Sequence, residues 1–194
     1  MITTELIKEL RDKTGISVMQ CKKALEEAKG DMEKALVLLR KKGAEIAAKK
    51  GDRSLGAGVI QSYVHGNGMV GALVELSTET DFVANNAEFK TLAYDVAMHV
   101  TAAKPEFLKK ADISEEVKKT ALETFAEEVK GKPENIQAKI LEGKLNAYFG
   151  EKTLLEQPYI KNPDMTIAEL IQGAIQKFGE KIEITRFARF SVGN

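Results

Sequence analysis

The sequence predicts an α+β fold in which a short three-helix bundle precedes a core with a small antiparallel sheet packed on helices. Three observations carry this. Residues 1–43 hold three short segments of helical periodicity separated by glycine-containing turns. An Asn67-Gly68 turn joins two runs rich in β-branched and apolar residues, 59–64 and 69–74. The chain closes on a further strand-like run, Ile182–Val192, with helical patterns between the two strand regions.

In the first helix, Thr3 or Thr4 can cap the start, Leu6, Ile7 and Leu10 form one apolar stripe, and Thr14-Gly15 stops it. Ser17 with Gln20 three residues later is a capping-box signature. It opens a second helix with Val18, Cys21, Leu25 and Ala28 on one side, ended by Gly30. Asp31 then caps a third, where Met32, Ala35, Leu36 and Leu39 face inward. Three mutually packed helices are the economical way to bury stripes this short. Ala44–Arg53 is rich in Ala, Lys and Gly and suits a helical extension or linker, which divides the chain into 1–53 and a core of 54–194.

A two-residue type I′ turn at Asn67-Gly68 places Val59, Tyr63, Val70, Ala72, Val74 and Leu76 on one hairpin face. Ile60, Val64 and Leu73 make the opposite face partly apolar, so both faces are expected to be covered. A long helix follows from about Asn86 to Ala103, with Phe89, Leu92, Ala93, Val96 and Val100 as its stripe and Asn85 with Glu88 as its capping box. Further helical patterns cover Ser114–Val129 and Pro133–Tyr148, and Pro158 and Pro163 bracket a loop. Thr166–Phe178 is an amphipathic helix ended by Gly179. In the last strand Ile182, Ile184, Ala188, Phe190 and Val192 alternate with Glu183, Thr185, Arg189 and Ser191.

Composition narrows the function classes. The 194 residues are 43% hydrophobic and 30% charged, ordinary for a globular protein. No apolar run approaches the ~20 residues that span a bilayer, and the first residues lack a signal-peptide pattern, so no membrane association is expected. One cysteine makes no intramolecular disulfide and fits a reducing cytoplasm. Formal net charge is zero; residues 1–53 hold 13 Lys+Arg against 9 Asp+Glu and the remainder 16 against 20, a mild asymmetry that solvated helix faces explain. His65 and His99 fall on different elements and with Cys21 make no metal set. Cys21 sits on an apolar stripe, as an inert buried thiol would. Gly56-Ala57-Gly58 and Gly66-Asn67-Gly68 lack the Gly-Lys-Ser/Thr of a phosphate loop. Arg40, Lys41, Lys42, Lys49 and Lys50 lack the aromatic neighbours that stack bases, so direct nucleic-acid binding is not expected. The inventory implies neither cofactor nor metal, and it points to binding rather than catalysis.

One segment remains as a candidate contact. Thr80-Asp81-Phe82-Val83 lies between the second strand and the long helix. Phe82 stands seven residues before Phe89, so it can continue the buried stripe with Asp81 as N-cap, the default from spacing alone. It can equally be an exposed aromatic anchor beside a carboxylate. Periodicity does not choose between them.

Several ordered blocks resemble the elongation factor Ts family. Leu10-Arg11-Asp12-Lys13-Thr14-Gly15, Cys21-Lys22-Lys23-Ala24-Leu25, Gly30-Asp31 and Leu39-Arg40-Lys41-Lys42-Gly43 resemble its N-terminal module, which is similar to a ubiquitin-associated three-helix bundle. Glu79-Thr80-Asp81-Phe82-Val83-Ala84 with Asn86 matches its most recognisable motif. Gly143-Lys144-Leu145, Leu155-Glu156-Gln157-Pro158 and the run from Arg186-Phe187 to Val192-Gly193 match later blocks. Asn85 stands where the family usually has a basic residue, and Ile16-Ser17-Val18 where it usually has Gly-Ala with a second Met. The resemblance implies a non-enzymatic, cytoplasmic exchange factor that makes elongation factor Tu release GDP. It implies contacts through Thr14, Gly15, Met19 and Lys22, and disturbance of the partner's Mg²⁺ and phosphate site through Thr80, Asp81, Phe82 and Val83. It also implies a homodimer, since short members are thought to supply both halves of the core that way. Two other classes remain open: a ubiquitin-associated-type interaction module without exchange activity, suggested by residues 1–43, and an enzyme, which the chemical inventory disfavours.

Overall fold

The computed structural model describes residues 2–130 and 133–193. Its N-terminal part is a bundle of α1 (Thr4–Thr14), α2 (Val18–Glu27) and the longer α3 (Met32–Lys49). Thr3 caps α1 by accepting from the Leu6 amide, and Gly15 closes it at φ 67°. Ser17 accepts from Gln20 N as expected, but Gln20 does not complete the box. Its amide oxygen instead accepts from Gln176, 156 residues away, at 2.5 Å. Val18 is half exposed and not part of the inward stripe, which Cys21, Ala24, Leu25 and Ala28 supply. At the end of α2, Lys29 takes the left-handed conformation and Gly30 N bonds Leu25 O, so Gly30 stands one position past the expected cap. Asp31 caps α3, whose Ala35 and Leu39 are buried with Leu10, Cys21 and Leu25 in one apolar cluster. Ala44–Lys49 continues α3 as a helical extension.

The core holds a three-stranded antiparallel sheet in the order β1-β2-β5, formed by β1 (Ala57–Val64), β2 (Val70–Thr78) and β5 (Ile182–Ser191). The register pairs Val64 with Gly71 and Tyr63 with Ala72, as the hairpin expectation required. The turn itself is not type I′. His65 N bonds Val70 O, Gly68 N bonds His65 O, and Gly68 takes positive φ while Asn67 does not. Asn67 instead accepts from Met69 N through its side chain.

Against the inner face lie α5 (Ala87–Ala103) and α8 (Ile167–Phe178). Phe89, Ala93, Val96 and Val100 are fully buried there with Val74, Leu76, Ile167 and Ile182. The cap of α5 is Asn86, one residue later than expected, accepting from Glu88 N at 2.8 Å. Before it sits a single turn, α4 (Asp81–Ala84). The helices α6 (Glu115–Val129) and α7 (Glu134–Lys152) form a hairpin around Ile113, Ala121 and Phe149. The expected loop between Pro158 and Pro163 is a small ribbon, β3 (Pro158–Tyr159) paired with β4 (Asn162–Thr166).

The expected alternation of β5 fails midway. Glu75 pairs with Arg186 but Leu76 with Ile184, so Thr185 is an extra residue in a β-bulge. Ile182 and Ile184 point inward, after which Phe187, Arg189 and Ser191 take the inner positions. Ala188, Phe190 and Val192 therefore turn outward beside Ile60, Val64 and Leu73. That outer face is not covered within the chain: Phe190 is 66% exposed and Ile60 64%. No described helix is long and apolar enough to cross a membrane.

Candidate functional site

The segment from Glu79 to Asn86 is where the end of β2, the turn after α8 and the exit of α3 meet. Its residues divide into held and free. Glu79 accepts from Lys181 N at 2.5 Å and from the Arg53 guanidinium at 2.9 and 3.2 Å, with Lys50 Nζ at 3.9 Å. The Lys181 amide is the main cause that holds its carboxyl below the usual range, with Arg53 and Lys50 adding to it against partial burial. Glu180 takes hydrogen bonds from Thr78 Oγ1 at 2.8 Å, Thr80 N at 3.0 Å and Thr80 Oγ1 at 2.6 Å. Burial opposes the charge of Glu180, and those bonds outweigh it, so its carboxyl is also lowered. Lys181 Nζ completes the junction by donating to Gly51 O and Arg53 O.

Val83 and Ala84 are buried in the main core. Asp81 is exposed, and Phe82 is 83% exposed. The buried-stripe alternative for Phe82 is thus excluded, and Thr80, not Asp81, occupies the N-cap position of α4. Of the four residues in the motif, Thr80, Asp81 and Phe82 are exposed and Val83 is buried, with Thr80 tied to Glu180. An aromatic ring left in water on a turn pinned from both sides costs burial it could have had, and such rings mark contact points.

The second candidate set spans the end of α1, the turn after it and the first half of α2. Thr14 Oγ1 donates to Leu10 O at 2.7 Å and accepts from Ile16 N at 3.3 Å, so Thr14 and Gly15 close the helix. Met19 is 82% exposed, and exposed Lys22 pairs with Glu26 at 3.9 Å. Half-exposed Val18 extends the apolar patch around Met19. Lys177 lies between the two sets. Its Nζ is 3.6 Å from where a Cβ on Gly15 would stand and bonds Glu88 in the first turn of α5 at 2.8 Å.

Glu180, Lys181 and Arg53 went unnoticed in the sequence. Their partners stand far along the chain, up to 130 residues away, and no local pattern announces them. Elsewhere, Cys21 is buried against Ile16 O and burial pushes its thiol up, which suits an inert role. His99 is fully buried, its Nε2 2.9 Å from Gln157 Oε1 and its Nδ1 accepting from Ile160 N. Among the described residues no group of three His, Cys, Asp or Glu is placed to hold a metal ion.

Comparison with known proteins agrees with the blocks noted in the sequence. A family model described as Elongation factor TS matches residues 3–194. A protein named Elongation factor Ts from Carboxydothermus hydrogenoformans is 50% identical over 195 residues, covering 100% of this chain and 90% of the relative. The protein of that name from Thermosipho melanesiensis is 49% identical, with 100% of both chains covered. Its counterpart in Thermotoga petrophila is 48% identical over 99% of this chain and 96% of its own. With the match running through the bundle, the junction and the last strand, the chain belongs to the elongation factor Ts family of translation elongation factors, which are not catalysts of a chemical reaction.

Proposed function

We propose that this chain binds elongation factor Tu and speeds its release of GDP by disturbing the Mg²⁺ and phosphate contacts of the partner's nucleotide site. The observation that carries the reading is Phe82, exposed on a turn whose neighbours Glu79, Thr80, Val83 and Ala84 are all fixed. Met19 and Lys22, on α2 just past the turn shaped by Thr14 and Gly15, grip the nucleotide domain of the partner. Phe82, with Asp81 and exposed Thr80 beside it, enters near the nucleotide; buried Val83 holds the turn. Mg²⁺ bound largely through phosphates has few protein ligands, so a small displacement loosens it. Linkage makes the effect mutual: GDP weakens this chain's binding by the factor by which the chain weakens GDP's.

Two further parts belong to the same reading. Residues 1–53 act as a ubiquitin-associated-like module and 54–194 as the core, supported by their separate apolar clusters. The outer sheet face pairs with a second copy, supported by its exposed Ile60, Val64, Leu73, Phe190 and Val192. The site of action is the cytoplasm, where elongation proceeds.

The test is release of a fluorescent GDP from elongation factor Tu. Phe82→Ala should lose most of the stimulation, a truncated hot spot being worth ~2 kcal/mol or more. Full stimulation by the folded variant would remove Phe82 from the mechanism.

A further inference from the structure

We infer that Glu180 is a positioning residue for the contact turn: its carboxylate, holding Thr78 and Thr80 from the α8–β5 connection, sets the direction in which Asp81 and Phe82 project. The inference deepens the exchange reading and rests on it for its functional consequence.

A four-residue helix does not hold itself. Nucleation of helix is unfavourable, and a single turn gains too few internal bonds to offset the ordering of its backbone. The usual remedy is a side-chain cap, and Thr80 stands where that cap would come from. It makes none. Its hydroxyl points instead to Glu180 Oε1 at 2.6 Å, while its amide donates to Oε2 at 3.0 Å. Oε2 also accepts from Thr78 Oγ1 at 2.8 Å, so one carboxylate grips both the last residue of β2 and the N-cap of α4.

The turn is thus fixed at two places. Val83 and Ala84 sink one side into the core, and Glu180 fixes its leading end. Glu180 itself follows Gly179, whose φ of 73° closes α8 and swings the chain toward the sheet. Cations gather on the neighbouring Glu79, where Arg53 and Lys50 approach. The bonds to Glu180 come from hydroxyls and a backbone amide, which are directional and charge-assisted. Such an arrangement specifies orientation.

The chain contains no tryptophan, so Phe82→Trp introduces a lone reporter at the contact position. In that background Glu180→Ala should lower the indole's fluorescence anisotropy with far-UV circular dichroism unchanged. Glu180→Gln, which keeps an oxygen for Thr78 and the Thr80 amide, should restore most of it. In the wild-type background Glu180→Ala should slow GDP release at saturating factor roughly tenfold, while in the Phe82→Ala background it should cost nothing more, the non-additivity expected of residues acting through one another. Equal anisotropy, or a full additional loss on top of Phe82→Ala, would overturn the inference. Should Phe82→Ala alone leave release untouched, Phe82 drops out of the exchange mechanism, and the anisotropy arm still judges Glu180 separately. If Glu180→Ala does not fold, Thr80→Val removes the 2.6 Å bond and carries the same expectations at smaller size.

Discussion

Neighbouring residues in the contact turn have opposite physical duties, which makes them separable by mutation. Phe82 buries little, so Phe82→Ala should leave the unfolding midpoint nearly unchanged. Val83 is 4% exposed, and Val83→Ala should cost ~2 kcal/mol in a urea titration through lost burial and the cavity left behind. A large stability loss in the Phe82 variant would mean that its ring is buried in solution. His99 offers a second test. It is held neutral, with Nε2–H donating to Gln157 and Nδ1 accepting from Ile160, and burial pushes its pKa below the ordinary 6.5. Below that value the unfolded chain takes up a proton that the folded chain refuses. Stability should therefore fall as pH drops from ~6.5 toward the folded pKa, by at most ~1.4 kcal/mol per unit from this group. Above 6.5 it contributes no slope. Urea titrations at several pH values should show His99→Gln with a flatter acid limb than wild type, whatever its absolute stability.

At the scale of elements, α3 is the member that joins bundle to core. Its first half packs in the bundle cluster, while Ile46 and Ala47 near its end pack on the main core. Between them Gly43 lets α3 approach α8 closely: a Cβ there would meet Gln176 Oε1 at 3.2 Å and Gln172 O at 3.5 Å. Arg40 secures the crossing by donating to Asp164 O at 2.8 Å, and Gln176 bonds Gln20. Gly43→Leu should wedge the helices apart and cost ~1–3 kcal/mol as overpacking. Hydrogen exchange should then show protection lost first along α3 and α8; unchanged protection there would refute the close-approach argument. The α8 start is independently checkable. Thr166 and Glu169 form a reciprocal capping box, and Thr166→Ala should cost ~1 kcal/mol.

Across the whole molecule, one bulge decides which surface is left over. Without the bulge, regular alternation would turn Ala188, Phe190 and Val192 inward and leave Glu183, Thr185, Phe187, Arg189 and Ser191 outward, a mostly polar face. With it, Phe190 and Val192 join Ile60, Val64 and Leu73 on an open apolar surface rimmed by the Arg186–Glu75 ion pair. Contiguous exposed apolar surface of this kind marks association sites. Sedimentation of the free protein should find a dimer, and Phe190→Asp should shift it to monomer while the inner-face core stays intact. A wild-type monomer at micromolar concentration would remove the second copy from the proposal.

Local chemistry determined much of this molecule from sequence alone. The caps at Thr3, Ser17, Asp31 and Gly179, the stripe of α5 and the hairpin register of 59–76 depend on residues a few positions apart, and they stand as the patterns require. Contacts between distant residues decided the rest. Gln20 left its box for Gln176, and Thr80 left its capping role for Glu180, because tertiary partners offered better-placed bonds than the helix did. The phase of β5 turned on a bulge set by pairing with β2, which no periodicity within the strand encodes. The exposure of Phe82 belongs with these. Its spacing from Phe89 fits burial, but α4 ends at Ala84 and Asn86 starts α5 anew, which breaks the phase between the two rings and leaves Phe82 in solvent.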